Sequence, residues 1–115
     1  MAAVSRGDLL LTQFPFTDLR GSAVRPFLVV SQGLIGQDII VAGISSVISD
    51  GVVSTDVVVE PTHSEFPITG LRVKSVIRLH KLVTIEQLVI RRRLGQIGPM
   101  LQLEVDVRLK IALGL

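Results

Sequence analysis

The clearest structural signal in this sequence of 115 residues is the stretch Arg25-Pro26-Phe27-Leu28-Val29-Val30-Ser31. Pro26 biases the residue before it toward extended backbone. The apolar run that follows is too short for a helix and contains two β-branched valines, a composition that favours a strand. We therefore predict a strand over residues 26–31.

Similar short apolar runs lie on both sides of this stretch and are separated by turn-forming residues. A loop is predicted at 17–23, where Thr, Asp, Gly and Ser interrupt the apolar pattern, and an irregular segment at 61–70. Several short strands at close spacing predict a β-rich fold, a small barrel or a sandwich. The further strands are predicted at 8–12, 38–44, 55–60 and 74–85, and the composition of 38–44 predicts burial on both faces.

The C-terminal segment carries two conflicting patterns. Residues 101–111 alternate apolar and polar side chains, which taken alone is typical of a strand. Gly98-Pro99 is instead a good helix start, and Glu104 precedes Arg108 by four positions, which is the favourable order of charges on a helix. We predict a C-terminal helix.

The composition is that of a small soluble protein with a large apolar fraction. Hydrophobic residues make up 48% of the chain, and the mean hydropathy is +0.59. The longest apolar runs, 26–30 and 39–44, are much shorter than the roughly 18–20 residues that cross a bilayer. The N-terminus lacks the pattern of a secretory signal, and there is no cysteine. We therefore expect one cytoplasmic domain over 1–115, with part of its apolar surface in a subunit interface.

Most familiar catalytic motifs are absent from the sequence. Two histidines, His63 and His80, with no cysteine, do not form the usual zinc ligand set, and the carboxylates are scattered. There is no glycine-rich phosphate loop and no Gly-x-Ser-x-Gly motif. The net charge is only +2, but the basic residues are unevenly placed, a pattern compatible with a phosphate-bearing partner. We expect no metal and no cofactor.

Arg25 is a candidate for binding a phosphate group. It stands between a loop and a strand, so its guanidinium is expected at the edge of the sheet. Such a group can bind a phosphate bidentately and stabilise developing negative charge. An ion pair with a surface carboxylate is the alternative, and the residues alone favour that alternative.

Taken together, several blocks of the sequence resemble the PemK/MazF family of type II toxin–antitoxin toxins. The resemblance covers nearly the whole chain in the family's order, and the Gly-Asp and Arg-Pro blocks are its most specific parts. The blocks are Arg6-Gly7-Asp8-Leu9-Leu10-Leu11, Phe14-Pro15-Phe16-Thr17-Asp18, Arg25-Pro26-Phe27-Leu28-Val29-Val30-Ser31, Ile40-Val41-Ala42-Gly43-Ile44-Ser45-Ser46 and Ser75-Val76-Ile77-Arg78-Leu79.

The resemblance implies a small SH3-like barrel with a C-terminal helix, acting as a homodimer. It also implies metal-independent cleavage of single-stranded RNA, in the cell mRNA, and a cognate antitoxin protein that blocks the RNA site. The family's reaction leaves a 2′,3′-cyclic phosphate and a 5′-hydroxyl. Its catalytic arginine corresponds to Arg25, and its catalytic threonine corresponds to Ser45, which keeps a hydroxyl but lacks the methyl group.

RNA contacts are expected around the loop at 17–23 and at two later positions. Phe16 is the preferred stacking platform because the sequence has four phenylalanines and no Trp or Tyr. His80 is in addition a candidate general base, and the run 91–93 is either a solvated face or a binding site for an acidic antitoxin tail. The expected RNA-binding residues are Phe16, Thr17, Arg20, Ser22, Arg72 and His80.

Two other functions remain open for the same fold. One is a toxin that binds a protein target such as DNA gyrase, and the other is a catalytically inactive relative. The pair Arg25 and Ser45 argues for the nuclease, whereas serine in place of threonine and the low aromatic content argue for the alternatives.

Overall fold

The computed structural model describes residues 3–14, 23–49 and 51–115. Within them, strands and helices follow one another along the chain, and a short 3-10 turn at Gln87–Val89 precedes the last strand. The strands are β1 (Asp8–Phe14), β2 (Ala23–Val29), β3 (Asp38–Ser45), β4 (Asp56–Val59), β5 (Ser75–Glu86) and β6 (Ile90–Gln96), and the helices are α1 (Phe66–Thr69) and α2 (Pro99–Leu113).

The six described strands form one antiparallel sheet in the order β4-β5-β3-β2-β1-β6. The predicted fold class, mainly β with a C-terminal helix, is therefore confirmed. The sheet is not closed, because β4 and β6 are its two edges and do not pair with each other. The arrangement is thus an open sheet rather than a closed barrel.

The predicted strands at 8–12, 26–31, 38–44, 55–60 and 74–85 correspond to β1 through β5, and the predicted C-terminal helix is α2. Two elements were not predicted. The short helix α1 lies in the segment at 61–70 that the sequence marks as irregular. Strand β6 contains the run 91–93, whose three consecutive arginines hide any alternation of polar and apolar residues.

Buried apolar side chains lie on both faces of the central strands. Leu9 and Leu10 of β1, which are consecutive and therefore point to opposite faces, are both fully buried. One cluster packs between the sheet and α2 and includes Leu28, Ile77 and Leu101. The second cluster covers the other face and includes Phe27, Val41 and Ile85. Burial on both faces explains why these strands are almost continuously apolar, as was predicted for β3.

A β-bulge in β5 changes the register of its pairing with β3. Ala42 pairs with Leu82 and Gly43 pairs with Arg78, so one step along β3 matches four steps along β5. Leu79 lies on the α2 side of the sheet, whereas Ile85 lies on the other side, although both positions are odd-numbered. The bulge therefore changes which positions of β5 face each core cluster. His80 and Lys81 lie in the bulge region and are exposed.

Helix α2 begins at Pro99 and is capped by a side chain from outside the helix. The buried carboxylate of Glu65 accepts hydrogen bonds from the backbone N–H of Met100 (2.8 Å) and of Leu101 (2.9 Å). These two groups are among the N-terminal donors that have no partner within a helix. Gly98 is required at this junction because a Cβ there would overlap the Glu65 side chain.

Candidate active site

A groove with a volume of about 570 Å³ crosses β2, β3 and β5 on one side of the sheet. Gly43 of β3 forms part of its floor, and a Cβ at this position would contact Lys81 (3.8 Å to its Cβ) and Phe27 (4.0 Å to its Cε1). Arg25 and Lys81 therefore border the groove from strands on opposite sides of β3. This juxtaposition comes from the strand order and could not be predicted from the sequence blocks taken separately.

Arg25 lies in β2, where it pairs with Thr12 of β1, and its side chain is exposed. Its backbone carbonyl accepts a hydrogen bond from the Thr12 hydroxyl (3.4 Å). Its guanidinium makes no hydrogen bond or ion pair with any part of the chain that the structure describes. The alternative of a surface ion pair is therefore not realised within 3–14, 23–49 and 51–115.

Ser45 is the last residue of β3 and also lines the groove. Its Oγ accepts a hydrogen bond from the backbone N–H of Val47 (3.0 Å) and donates one to the carbonyl of Val47 (3.2 Å). The loop after β3 thus fixes the orientation of the hydroxyl. One lone pair is left for a further donor, and the proton reaches a phosphate oxygen only when it leaves the carbonyl of Val47.

Of the six predicted RNA-binding residues, one lines the groove, one does not, and four lie outside the described residues. Arg72 is exposed, lines the groove and has no ion pair with the described residues. His80 is not among the described residues that line the groove, and its Nδ1 lies 3.1 Å from Thr55 Oγ1 and 3.7 Å from Asp56 Oδ1. The remaining four lie outside the described residues, namely Phe16, Thr17, Arg20 and Ser22.

Two cations of the groove were not singled out from the sequence. Lys81 is exposed and unpaired within the described part of the chain. Arg78 is largely buried and donates to Asp56 Oδ2 at 2.8 Å. Both enter the groove through the bulge region of β5, where simple alternation fails to predict the direction of the side chains. Spacing alone carried no signal for them, although Arg78 is in one of the blocks shared with the family.

The charged side chains that line the groove all carry the same sign within the described residues. Among the described residues that line it, four are cationic (Arg25, Arg72, Arg78 and Lys81) and none is a carboxylate. An anionic ligand with several charges is therefore attracted to this surface, and the attraction falls as salt screens it.

The rim of the groove is aliphatic. Val24, Val47 and Val73 are each at least half exposed and border the groove. Phe27 is the aromatic side chain among the described lining residues, and it is buried. Along this part of the surface, flat apolar groups of a ligand would meet valine methyl groups rather than aromatic rings.

The described residues contain neither a metal-binding cluster nor a membrane-spanning helix. Within 3–14, 23–49 and 51–115, no three His, Cys, Asp or Glu side chains are placed to bind a metal ion together. Over the same residues, no helix has the length and apolar character needed to span a membrane.

Comparison with protein families identifies the chain. Residues 5–113 match the family described as the PemK-like, MazF-like toxin of type II toxin–antitoxin systems. The chain belongs to this family. Its members are endoribonucleases, so the cationic groove described above belongs to a toxin from a family of RNA-cleaving enzymes. No curated protein matches the toxin in sequence.

Solved structures share the fold of the toxin at low sequence identity. An endoribonuclease from a mycobacterial species in complex with its cognate antitoxin is 18% identical, with a TM-score of 0.77, and the match covers 98% of this chain and 97% of that one. MazE-MazF from Deinococcus radiodurans is 18% identical, with a TM-score of 0.76 and coverage of 100% and 99%. The Mycobacterium tuberculosis toxin MazF-mt6 is also 18% identical, with a TM-score of 0.72 and coverage of 94% and 97%.

Proposed function

We propose that this toxin is an endoribonuclease that cleaves single-stranded RNA, in the cell mRNA, without a metal ion. The observation that carries the proposal is the guanidinium of Arg25, which has no partner among the described residues and lies in a cationic groove that also contains Ser45. Membership of the toxin family supports the same activity. Arg25 supplies the positive charge for which many nucleases use a metal ion.

The proposed reaction uses a nucleophile from the substrate. The ribose 2′-oxygen attacks the neighbouring phosphorus, the bond from phosphorus to the 5′-oxygen breaks, and a 2′,3′-cyclic phosphate and a 5′-hydroxyl result. The 2′-hydroxyl gives up one proton and the departing 5′-oxygen takes up one, so the reaction needs no co-reactant. Arg25 stabilises the negative charge of the pentacoordinate phosphorane, and Ser45 orients a phosphoryl oxygen.

Binding of the RNA strand is proposed to extend beyond these two residues. Arg72 contacts a phosphate from the groove wall, and further contacts come from Phe16, Thr17, Arg20 and Ser22, which precede β2 in the sequence. His80 faces Thr55 and Asp56 instead of the groove. We therefore place no RNA contact on His80 in the enzyme at rest.

The proposed assembly is a homodimer of one domain over 1–115, located in the cytoplasm and inhibited by a cognate antitoxin. Leu103, Val107 and Ile111 form an exposed apolar stripe on α2, with 69%, 50% and 51% of their surface exposed. Exposed apolar residues arranged in a stripe are typical of a subunit interface. Complexes with an antitoxin are known for structural neighbours of this toxin, which supports a similar partner here.

A second candidate is a toxin of the same fold that binds a protein target, such as DNA gyrase, without cleaving RNA. It is favoured by the two hydrogen bonds between Ser45 and Val47, which hold the hydroxyl within its own loop. The same observation favours a catalytically inactive relative.

A cleavage assay distinguishes these candidates. The purified toxin is incubated with a long single-stranded RNA in EDTA, beside Arg25→Ala and the matched control Arg92→Ala, which removes an exposed arginine of β6. We expect cleavage by the parent and by Arg92→Ala, and a loss of roughly a hundredfold for Arg25→Ala, as for removal of one preorganised donor. Analysis of the product ends should find the cyclic phosphate. If the parent leaves every RNA intact, the nuclease proposal fails.

A further inference from the structure

Arg78 and Asp56 form a buried ion pair beside the groove. Arg78 of β5 is in register with Asp56 of β4, and its Nη1 lies 2.8 Å from Asp56 Oδ2. The carboxylate is fully buried, whereas 11% of the Arg78 side chain is exposed. Arg78 is also in register with Gly43 of β3 and is one of the residues that line the groove. It thus links the edge of the sheet to the proposed RNA site.

Most hydrogen-bond donors of Arg78 have no partner among residues 3–14, 23–49 and 51–115. A guanidinium carries five N–H donors, and one of them is bonded within the described residues. Asp56 Oδ1 is the buried side-chain N or O atom without a hydrogen-bond partner in the described part of the chain, so the remaining donors of Arg78 reach solvent. A phosphate oxygen in the groove would accept from them, and it would gain a charge-assisted hydrogen bond that water does not match.

Asp56 is itself held in place. Its Oδ2 accepts a second hydrogen bond, from the backbone N–H of Val53 (2.9 Å), so the loop before β4 fixes the carboxylate. Its Oδ1 is buried and has no hydrogen-bond partner among the described residues, and His80 Nδ1 is 3.7 Å away. The carboxylate therefore binds Arg78 through one oxygen only and leaves the other donors of the guanidinium without a partner in the part of the chain that the structure describes.

We propose that Arg78 binds a phosphate oxygen of the RNA strand on the β5 side of the groove, and that Asp56 is the positioning residue that holds it there. The inference rests on the proposed function, because it assigns a second phosphate contact in the same groove. Arg25 acts on the phosphate that is cleaved. Arg78 fixes the strand relative to that phosphate.

The direction in which RNA affinity changes when Asp56 is removed distinguishes two roles for this residue. If Asp56 acted only through its charge, its removal beside an RNA-binding groove would tighten RNA binding. If it positions Arg78, removal weakens binding although a negative charge has been lost. Asp56→Asn keeps an acceptor for Arg78 and Val53, so it should restore part of the affinity that Asp56→Ala loses.

The experiment measures binding of the intact toxin to a single-stranded RNA in which 2′-O-methyl groups prevent cleavage, over a range of salt concentrations. For Arg78→Gln we expect roughly tenfold weaker binding, the loss of one charge-assisted hydrogen bond. The slope of log K against log salt should also fall by about 0.7, as for the loss of one phosphate contact on a single strand. Arg92→Gln, which removes an exposed charge on β6, is the matched control and should change neither quantity to this extent.

Asp56→Ala should weaken binding, Asp56→Asn should weaken it less, and neither should weaken it further in the Arg78→Gln background, because the two residues then act as a unit. Circular dichroism and thermal unfolding verify that each variant is folded. If Asp56→Ala does not fold, Asp56→Asn and Arg78→Gln still provide the test.

Three outcomes would overturn the inference. If the parent binds and cleaves RNA while Arg78→Gln has unchanged affinity and salt slope, the second contact does not exist and the proposed nuclease function still stands. Tighter RNA binding by both Asp56 variants would show that Asp56 acts through its charge alone and does not position Arg78. A parent that binds no RNA overturns the inference together with the proposed function.

Discussion

Glu65 Oε1 accepts a hydrogen bond from the backbone N–H of Leu101 at 2.9 Å, across 36 positions of sequence. The same carboxylate also binds the N–H of Met100, so one buried side chain satisfies two donors at the start of α2. Its negative charge also lies at the positive end of the helix dipole. The segment between β4 and β5 and the C-terminal helix are therefore joined by a buried polar contact as well as by apolar packing.

The first prediction concerns this contact. Glu65→Ala leaves the buried N–H of Leu101 and the partly buried N–H of Met100 without a partner, and we expect the free energy of unfolding to fall by about 1–3 kcal/mol. Urea denaturation followed by circular dichroism measures the change. Glu104→Ala removes an exposed glutamate from the same helix and should have little effect. Equal stability of the two variants would show that the cap contributes nothing.

The second prediction concerns the shape of the Arg25 side chain. Arg25→Lys keeps the positive charge but loses the planar fork that binds two phosphoryl oxygens, so cleavage should recover only partly relative to Arg25→Ala. Rates under single-turnover conditions measure this difference. Thermal unfolding should be unchanged for both variants, because the side chain is exposed and has no partner in the described residues. Full activity of Arg25→Lys would mean that charge alone is sufficient.

The third prediction concerns the hydroxyl of Ser45. Ser45→Ala should lower the cleavage rate by roughly tenfold or more, the loss of one hydrogen bond to a charged group. Ser45→Thr should equal or exceed the parent, because a β-branched side chain has a more restricted rotamer and threonine is the residue of the family. The control is Ser54→Ala, an exposed serine outside the groove lining. Unchanged cleavage by Ser45→Ala would remove this residue from the proposed mechanism.

The fourth prediction concerns the exposed stripe on α2. Sedimentation at micromolar concentration should give twice the monomer mass of 12.5 kDa. Val107→Glu places a charge in the middle of the stripe and should shift the toxin toward the monomer. Leu88→Glu changes another exposed apolar residue, 84% exposed and outside α2, and should leave the dimer intact. A parent that sediments as a monomer would contradict the proposed assembly.

The elements predicted correctly from the sequence are those whose local residue pattern is sufficient to indicate a strand or a helix. β2 and β3 are short apolar runs buried on both faces, and α2 begins with Gly98-Pro99. β6 was missed because it is an edge strand whose arginines bind polar partners of β1, with Arg91 on Gln13 and Arg93 on Asp8. An exposed edge needs no apolar alternation, so it leaves little pattern to detect.

The site could be predicted only in part, for a related reason. Arg25 and Ser45 stand in blocks shared with the family, and both line the groove. Lys81 and Arg78 reach it through pairing between strands that are distant in sequence, and the capture of Arg78 by Asp56 depends on the register of β4 against β5. Long-range register of this kind is not encoded in any local pattern.

The bulge in β5 determines which later side chains of this strand face each side of the sheet. Side chains alternate along a strand, so inserting or deleting one residue between Arg78 and Leu82 would turn every later side chain of β5 to the opposite face. Ile85 would then leave its core cluster, and the exposed Thr84 (for an insertion) or Glu86 (for a deletion) would replace it. A change of length by one residue at this wall of the groove is therefore expected to disrupt the second core cluster.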